Sequence, residues 1–154
     1  MHSDPVWAQL FAEIAAIQTL LANALQRRLP PPLSLSGFGV LDRLARSAAP
    51  SNPSQLASAF QVTKGAMTNT LRRLETAGFV RISIDPADAR GRIISLLPAG
   101  LAARDAAMAA ITPHMTALTS ALPRHQARMV VPLLEQLRLW LDKNRPPPHS
   151  DRHD

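Results

Sequence analysis

The residues best suited to chemistry in this chain of 154 residues lie along Thr63–Thr76, TKGAMTNTLRRLET. At a helical step of about 100° per residue, Met67, Thr70, Leu71 and Leu74 fall on one face. Gly65, Thr68, Asn69, Arg72, Arg73 and Thr76 fall on the other. That second face opens with small groups, continues with an amide and carries two guanidiniums. Such a face can lie in a DNA major groove: small residues permit close approach, Asn can pair with adenine, and Arg with guanine or phosphate. Asn69 and Arg72 are the candidate base readers; Lys64, Thr68 and Arg73 are the candidate phosphate contacts, with Thr63 and Gly65 at the point of approach.

The neighbouring residues supply what such a helix needs. Thr63 can cap its start, because a hydroxyl can accept a bond from an unpaired N–H of the first turn. Ala77-Gly78 supplies a stop, since Gly adopts the left-handed conformation that ends helices. Arg81–Ile84 and Arg92–Leu97 alternate as half-buried strands, with Ile82, Ile84, Ile94 and Leu96 inward. Between them Asp85–Gly91 is rich in turn formers. It carries Arg90, with Arg92 beside it. A hairpin tip of that kind, following a reading helix, suggests a wing whose arginine reaches a minor groove, where negative potential is concentrated. Upstream, Asn52 caps, Pro53 takes the first helical position and Gln55 completes a capping-box spacing. The short helix Pro53–Phe60 should pack Leu56 and Ala57 on Met67 and Leu71, and offer Ser51 and Ser54 to phosphates.

This stretch resembles the winged helix-turn-helix of the MarR family of bacterial transcription regulators. The residues that carry the likeness are Gln55-Leu56-Ala57, Val62-Thr63-Lys64, Leu71–Glu75, Gly78-Phe79-Val80, Asp88-Ala89-Arg90, and Ile94-Ser95-Leu96 followed by Pro98-Ala99-Gly100. It departs from the family pattern in two places: Ile82 stands where an arginine is usual, and Leu97 where a threonine precedes Pro-Ala-Gly. Asp88 is read as the wing-orienting carboxylate, because phosphate repels a carboxylate; Ile82 leaves open which arginine it pairs with. The resemblance implies a mainly α fold with a small β-hairpin wing. The DNA-binding domain covers 36–100, between an N-terminal dimerisation helix (5–35) and C-terminal dimerisation helices (101–143). It also implies a homodimer that reads a pseudo-palindrome in double-stranded DNA. A cleft holds a small aromatic or anionic effector in such proteins, and Phe11, Ile14, Phe38 and Leu41 are the candidate lining residues. The function expected is a ligand-responsive repressor. The rival readings are a winged helix that binds protein and an architectural DNA binder without an effector.

The flanking segments fit that layout. Asp4-Pro5 is a helix start, and Trp7, Leu10, Phe11, Ile14, Ile17, Leu21 and Leu25 recur at helical steps to about Arg28, more apolar surface than one small lobe needs. Pro30-Pro31-Pro32 ends this helix. A second begins at Ser36, with Phe38, Val40, Leu41, Leu44 and Ala45 on its buried side. Leu101–Leu122 is alanine-rich and should kink or split at Pro113. A last helix from Pro123 to Lys143 carries an apolar stripe and Pro132. The tail 144–154, with Pro146-Pro147-Pro148, reads as flexible or extended.

Composition narrows the function classes. The net charge is +6, and the stretch 61–104 holds Lys64, Arg72, Arg73, Arg81, Arg90, Arg92 and Arg104 against Glu75, Asp85 and Asp88. A basic chain favours a polyanionic partner. With no cysteine, disulfides and thiol sensing are excluded. The histidines lack metal-ligand spacing, so no metal or cofactor is expected. No nucleophile elbow or phosphate-cradling glycine loop appears, so an enzyme is not expected. No apolar run approaches the roughly 18 residues of a membrane span, and the N-terminus is not signal-like; a cytoplasmic protein without membrane association is the simplest expectation.

Overall fold

The computed structural model describes residues 4–47 and 51–144. The tail 145–154, read above as flexible or extended, and residues 1–3 lie outside the described residues. Along the chain run α1 (Pro5–Gln26), α2 (Leu35–Arg46), α3 (Pro53–Phe60), α4 (Lys64–Thr76), β1 (Val80–Asp85), β2 (Asp88–Leu96), α5 (Pro98–Leu118) and α6 (Arg124–Lys143). The chain divides into two compact units, Met1–Thr112 and Pro113–Asp154. The division falls at the proline inside α5, which has no N–H for the helix ladder and crowds the carbonyl of the preceding turn.

The local signals for the reading unit hold in detail. Asn52 Oδ1 accepts from Gln55 N at 2.8 Å and Gln55 Oε1 accepts from Asn52 N at 3.1 Å, completing the capping box of α3. Thr63 Oγ1 accepts from Ala66 N at 3.1 Å and caps α4. Gly78, at φ 72°, turns the chain out of α4. The start of α2 is a correction: expected at Ser36, the helix begins at Leu35, with Ser34 accepting from Gly37 N as its cap. Both serines suit a cap; the bond falls to the one just before the first helical residue.

The core of the first unit lies beneath the helix-turn-helix. Leu56 and Ala57 of α3 and Met67, Leu71 and Leu74 of α4 are buried in the same cluster as Val40, Leu41 and Leu44 of α2, Val80, Ile94, and Ala107 and Ile111 of α5. On α2 the buried arc is Gly37, Val40, Leu41 and Leu44; Ala45, expected inside, is exposed. Gly100 lets α5 approach β1, since a Cβ there would lie 2.1 Å from the Phe79 carbonyl oxygen.

The hairpin is tighter than its sequence suggested. Val80 pairs with Leu96 and Ile82 with Ile94 in regular antiparallel register, but Ile84 pairs with Arg92 and the next residue, Asp85, with Asp88. Ala89, Arg90 and Gly91 are therefore an excess on β2, a bulge near the tip. The turn itself is only Pro86-Ala87. Ile84, expected inward, is 60% exposed, because the ribbon has left the core by that point.

Within the first unit α1 buries none of its residues. Trp7, Phe11, Ile17 and Leu20 are all exposed. By length and composition α1 could cross a bilayer, with a mean hydropathy of 1.3 over its most apolar window. This corrects the expectation that no segment approaches span length, which weighed unbroken apolar runs rather than averages over polar interruptions. The helix still carries Gln9, Glu13, Gln18 and Asn23. A lone helix of this kind is weak evidence and does not indicate a membrane protein. In the second unit α6 likewise buries no residue, and Met129, Leu133, Trp140 and Leu141 are exposed.

Candidate nucleic-acid interface

α4 separates its two faces as its periodicity requires. Met67, Leu71 and Leu74 are buried, while Lys64, Gly65, Thr68, Asn69, Arg72 and Arg73 are exposed. Packing of the apolar face on α3 fixes the helix, so the polar face is held rigidly outward. A Cβ built on Gly65 would meet nothing within 4 Å. No contact among the described residues accounts for a glycine there, and the first turn of α4 is bare.

The hydroxyls are less free than sequence implies. Thr63 Oγ1 accepts the capping bond from Ala66 N, which leaves its own hydrogen available to an anion. Thr68 Oγ1 donates to the Lys64 carbonyl at 2.8 Å. Its single hydrogen is spent on the helix, so Thr68 must rotate before it can donate to a phosphate. Ser51, named with Ser54 as a phosphate contact, is buried, and its carbonyl accepts from Ile94 N at 2.8 Å. It ties the approach to α3 onto β2 and has little surface for a ligand. Ser54 itself is exposed.

Four of the sequence-predicted residues meet in one recess. Ser54, Asp88, Arg90 and Arg92 line a cleft of about 320 Å³ with Asn52, Pro53, Asp85 and Gly91. The start of α3 and the wing are thus neighbours across a gap with guanidiniums on one wall. Asp88 Oδ1 accepts from the Arg90 backbone N–H at 3.0 Å, and Asp85 Oδ1 accepts from Ala87 N at 2.8 Å. Asp88 therefore shapes the bulge that presents Arg90 through the main chain, and none of the ion pairs found among the described residues includes it. Arg92 Nη1 donates to the Gly91 carbonyl at 3.0 Å. Arg72 and Arg73 line a separate cleft with Pro32, Thr76 and Ala77.

The residues named for an effector cleft are not brought together. Leu41 is fully buried in the core, Phe38 packs partly against it, and Phe11 on α1 is 49% exposed. None of the four, Ile14 included, lines a cleft described above.

Sequence reading missed a charge cluster that removes one cation from the basic stretch. Asp42, buried on α2, accepts from Arg104 Nε at 3.0 Å and Nη2 at 2.7 Å through Oδ1, and from Arg46 through Oδ2. Arg104 Nη1 also donates to Asp105 at 2.9 Å. The bond to Asp105 first, then that to Asp42, holds the Arg104 guanidinium above its ordinary value against the opposing effect of burial. A raised cation stabilises the fold below its unfolded pKa and loses that effect only as pH rises through the folded value, so a rise in pH within the ordinary range does not discharge the guanidinium. Arg104 joins α5 to α2 and is not part of the exposed basic surface.

A capped helix presented over a helical brace, followed by a two-stranded ribbon, defines a winged helix-turn-helix protein. The MarR family model matches residues 33–91. Among solved structures, the transcriptional regulator BldR from Sulfolobus solfataricus is 26% identical, with a TM-score of 0.76 over 93% of this chain and 99% of that one. A mutant MarR from E. coli, complexed with operator DNA, is 28% identical, with a TM-score of 0.68 over 88% of this chain and 99% of that one. Sco3205, a MarR family regulator from Streptomyces coelicolor solved in complex with DNA, shares the fold at 23% identity, with a TM-score of 0.76 over 95% of this chain and 92% of that one. No curated protein matches the chain. Residues 33–91 thus resemble the MarR family, and the chain shares the winged helix-turn-helix fold of these transcriptional regulators.

Proposed function

We propose that the chain is a homodimeric repressor that binds a pseudo-palindromic operator and is released by a small ligand. The observation that carries DNA binding is the exposed face of α4, with Asn69 and Arg72 standing clear of the core, followed in the same lobe by an exposed wing arginine. Asn69 and Arg72 address base edges in the major groove. Lys64, Arg73 and Ser54 address phosphates, joined by Thr63 through its free hydrogen and by Thr68 once its hydroxyl turns outward. Gly65 lets the backbone close on the duplex. Arg90 enters the adjacent minor groove, with Arg92 on a neighbouring phosphate and Asp88 orienting the bulge. The likeness to MarR complexed with operator DNA supports this arrangement.

Residues 36–100 act as the DNA-binding domain, and 5–35 and 101–143 as the dimerisation regions. The support is the apolar surface that α1 and α6 leave uncovered: Trp7 is 56% exposed and Leu133 65%. Patches of this kind mark interfaces, and a second copy related by a two-fold axis matches a palindromic site. Effector control rests on family resemblance. Gel shifts with fragments of the chain's own upstream region test the proposal. Binding that weakens steeply with salt and discriminates between fragments supports it; equal binding to every fragment shows an architectural binder instead.

A further inference from the structure

Of the 17 lysine and arginine side chains in the sequence, two are lysines, Lys64 and Lys143. Both stand at helix ends, and the ends are opposite. Lys143 is the last residue of α6, where the carbonyl end of the helix dipole favours a cation. Lys64 is the first residue of α4, where unpaired N–H groups carry positive partial charge and oppose one. The first turn of α4 holds no acidic residue to offset it. None of the ion pairs found among the described residues includes Lys64.

A phosphate contact accounts for a positive charge at this place but not for a lysine. Arginine grips phosphate through two parallel bonds, and the same face of α4 uses Arg72 and Arg73. What lysine adds is an amine that can be acylated, with loss of its charge. Arg124 also stands at a helix start, that of α6, and its guanidinium has no such chemistry. Access to Lys64 is open. Lys64 and Gly65 are exposed, and a Cβ built on Gly65 meets nothing within 4 Å among the described residues. The bond that Thr68 Oγ1 makes at 2.8 Å is to the Lys64 backbone carbonyl and leaves the amine uncommitted.

We propose that Lys64 is an acetylation site, modified by an acyl phosphate, through which the reading helix is silenced. The ε-ammonium gives a proton to solvent, and the nitrogen lone pair adds to the acyl carbon. The N–C amide bond forms as the C–O bond to phosphorus breaks, and inorganic phosphate leaves with the electron pair. Two consequences of opposite sign follow. The start of α4 is relieved of an opposed charge, so the fold gains stability. The duplex loses a phosphate contact at the point of closest approach, so DNA affinity falls. The second consequence rests on the DNA-binding reading; the first does not.

With two lysines, each can be tested alone in the full chain. The Lys143→Arg and Lys64→Arg chains are treated with acetyl phosphate, and mass spectrometry locates the label. The Lys143→Arg chain should be acetylated at Lys64, melt about 1–3 °C higher than before treatment, bind a selected duplex about tenfold more weakly, and lose about one unit of its logarithmic salt slope. The Lys64→Arg chain, treated alike, should keep its duplex affinity and gain no stability from a label at Lys143. Lys64→Gln should reproduce the higher melting temperature and the weaker binding without reagent. Absence of label at Lys64, a melting temperature that falls or stays unchanged on acetylation, or an unaltered affinity in a chain that binds duplex overturns the proposal. A chain that gains stability on acetylation at Lys64 yet never bound duplex refutes the DNA-binding reading and leaves the acylation site standing.

Discussion

Replacing Gly65 by alanine separates folding from binding at the residue where α4 is barest. The added methyl meets nothing within 4 Å among the described residues, so no steric term from them opposes it. Alanine is a better helix former than glycine by roughly 0.5–1 kcal/mol in a helix interior, and the first turn should show part of that gain. For a domain of this size the melting temperature should rise by about 2 °C and no more than about 4 °C. The effect on DNA has the opposite sign. If the backbone at Gly65 lies in van der Waals contact with the duplex, a methyl forces that contact apart, and the loss of neighbouring phosphate bonds should cost about 1.4 kcal/mol or more, a factor of about ten in affinity. Thermal melts and fluorescence anisotropy on the selected operator give the two numbers from one preparation. A variant that is more stable and binds as tightly as the wild type refutes the close approach. A less stable variant refutes the helix argument.

Other perturbations probe other parts of the molecule. Arg90→Ala should leave the melting temperature within about 1 °C, since the side chain is exposed, while weakening operator binding about tenfold and flattening its salt dependence; gel shifts at several salt concentrations check both. Gly100→Ala sets a methyl against the Phe79 carbonyl, 2.1 Å from its oxygen, and should cost about 1–3 kcal/mol or more by denaturant titration. Leu56→Ala empties a fully buried site between α3 and α4 and should cost about 2–5 kcal/mol in the same assay. Leu133→Asp on the uncovered face of α6 should shift the chain toward monomer in sedimentation and lower operator affinity without altering α4.

Much of the reading unit was legible because its signals are local. A cap, a capping box and a left-handed glycine each involve residues within one turn of one another, and Asn52, Gln55, Thr63 and Gly78 behave as their types demand. The apolar period of α4 likewise determines which face is exposed. The features that escaped depend on partners distant in sequence. The bulge at Ala89-Arg90-Gly91 follows from the pairing of Asp85 with Asp88, and no composition rule distinguishes it from a long turn. Nothing near Asp42 in the chain marks it for burial, because its partner Arg104 lies 62 positions away. Ser51 resembled a phosphate contact until its bond to β2 placed it inside. Ile84 alternates correctly, yet alternation carries no information about where a ribbon leaves the core.

Selection of bound sequences from random duplexes by the full-length chain tests most directly whether two copies grip DNA together. The expected result is an inverted repeat with half-site centres about one helical turn, roughly 34–36 Å, apart. Recovery of no preferred sequence, or of a single unrepeated half-site, would contradict it.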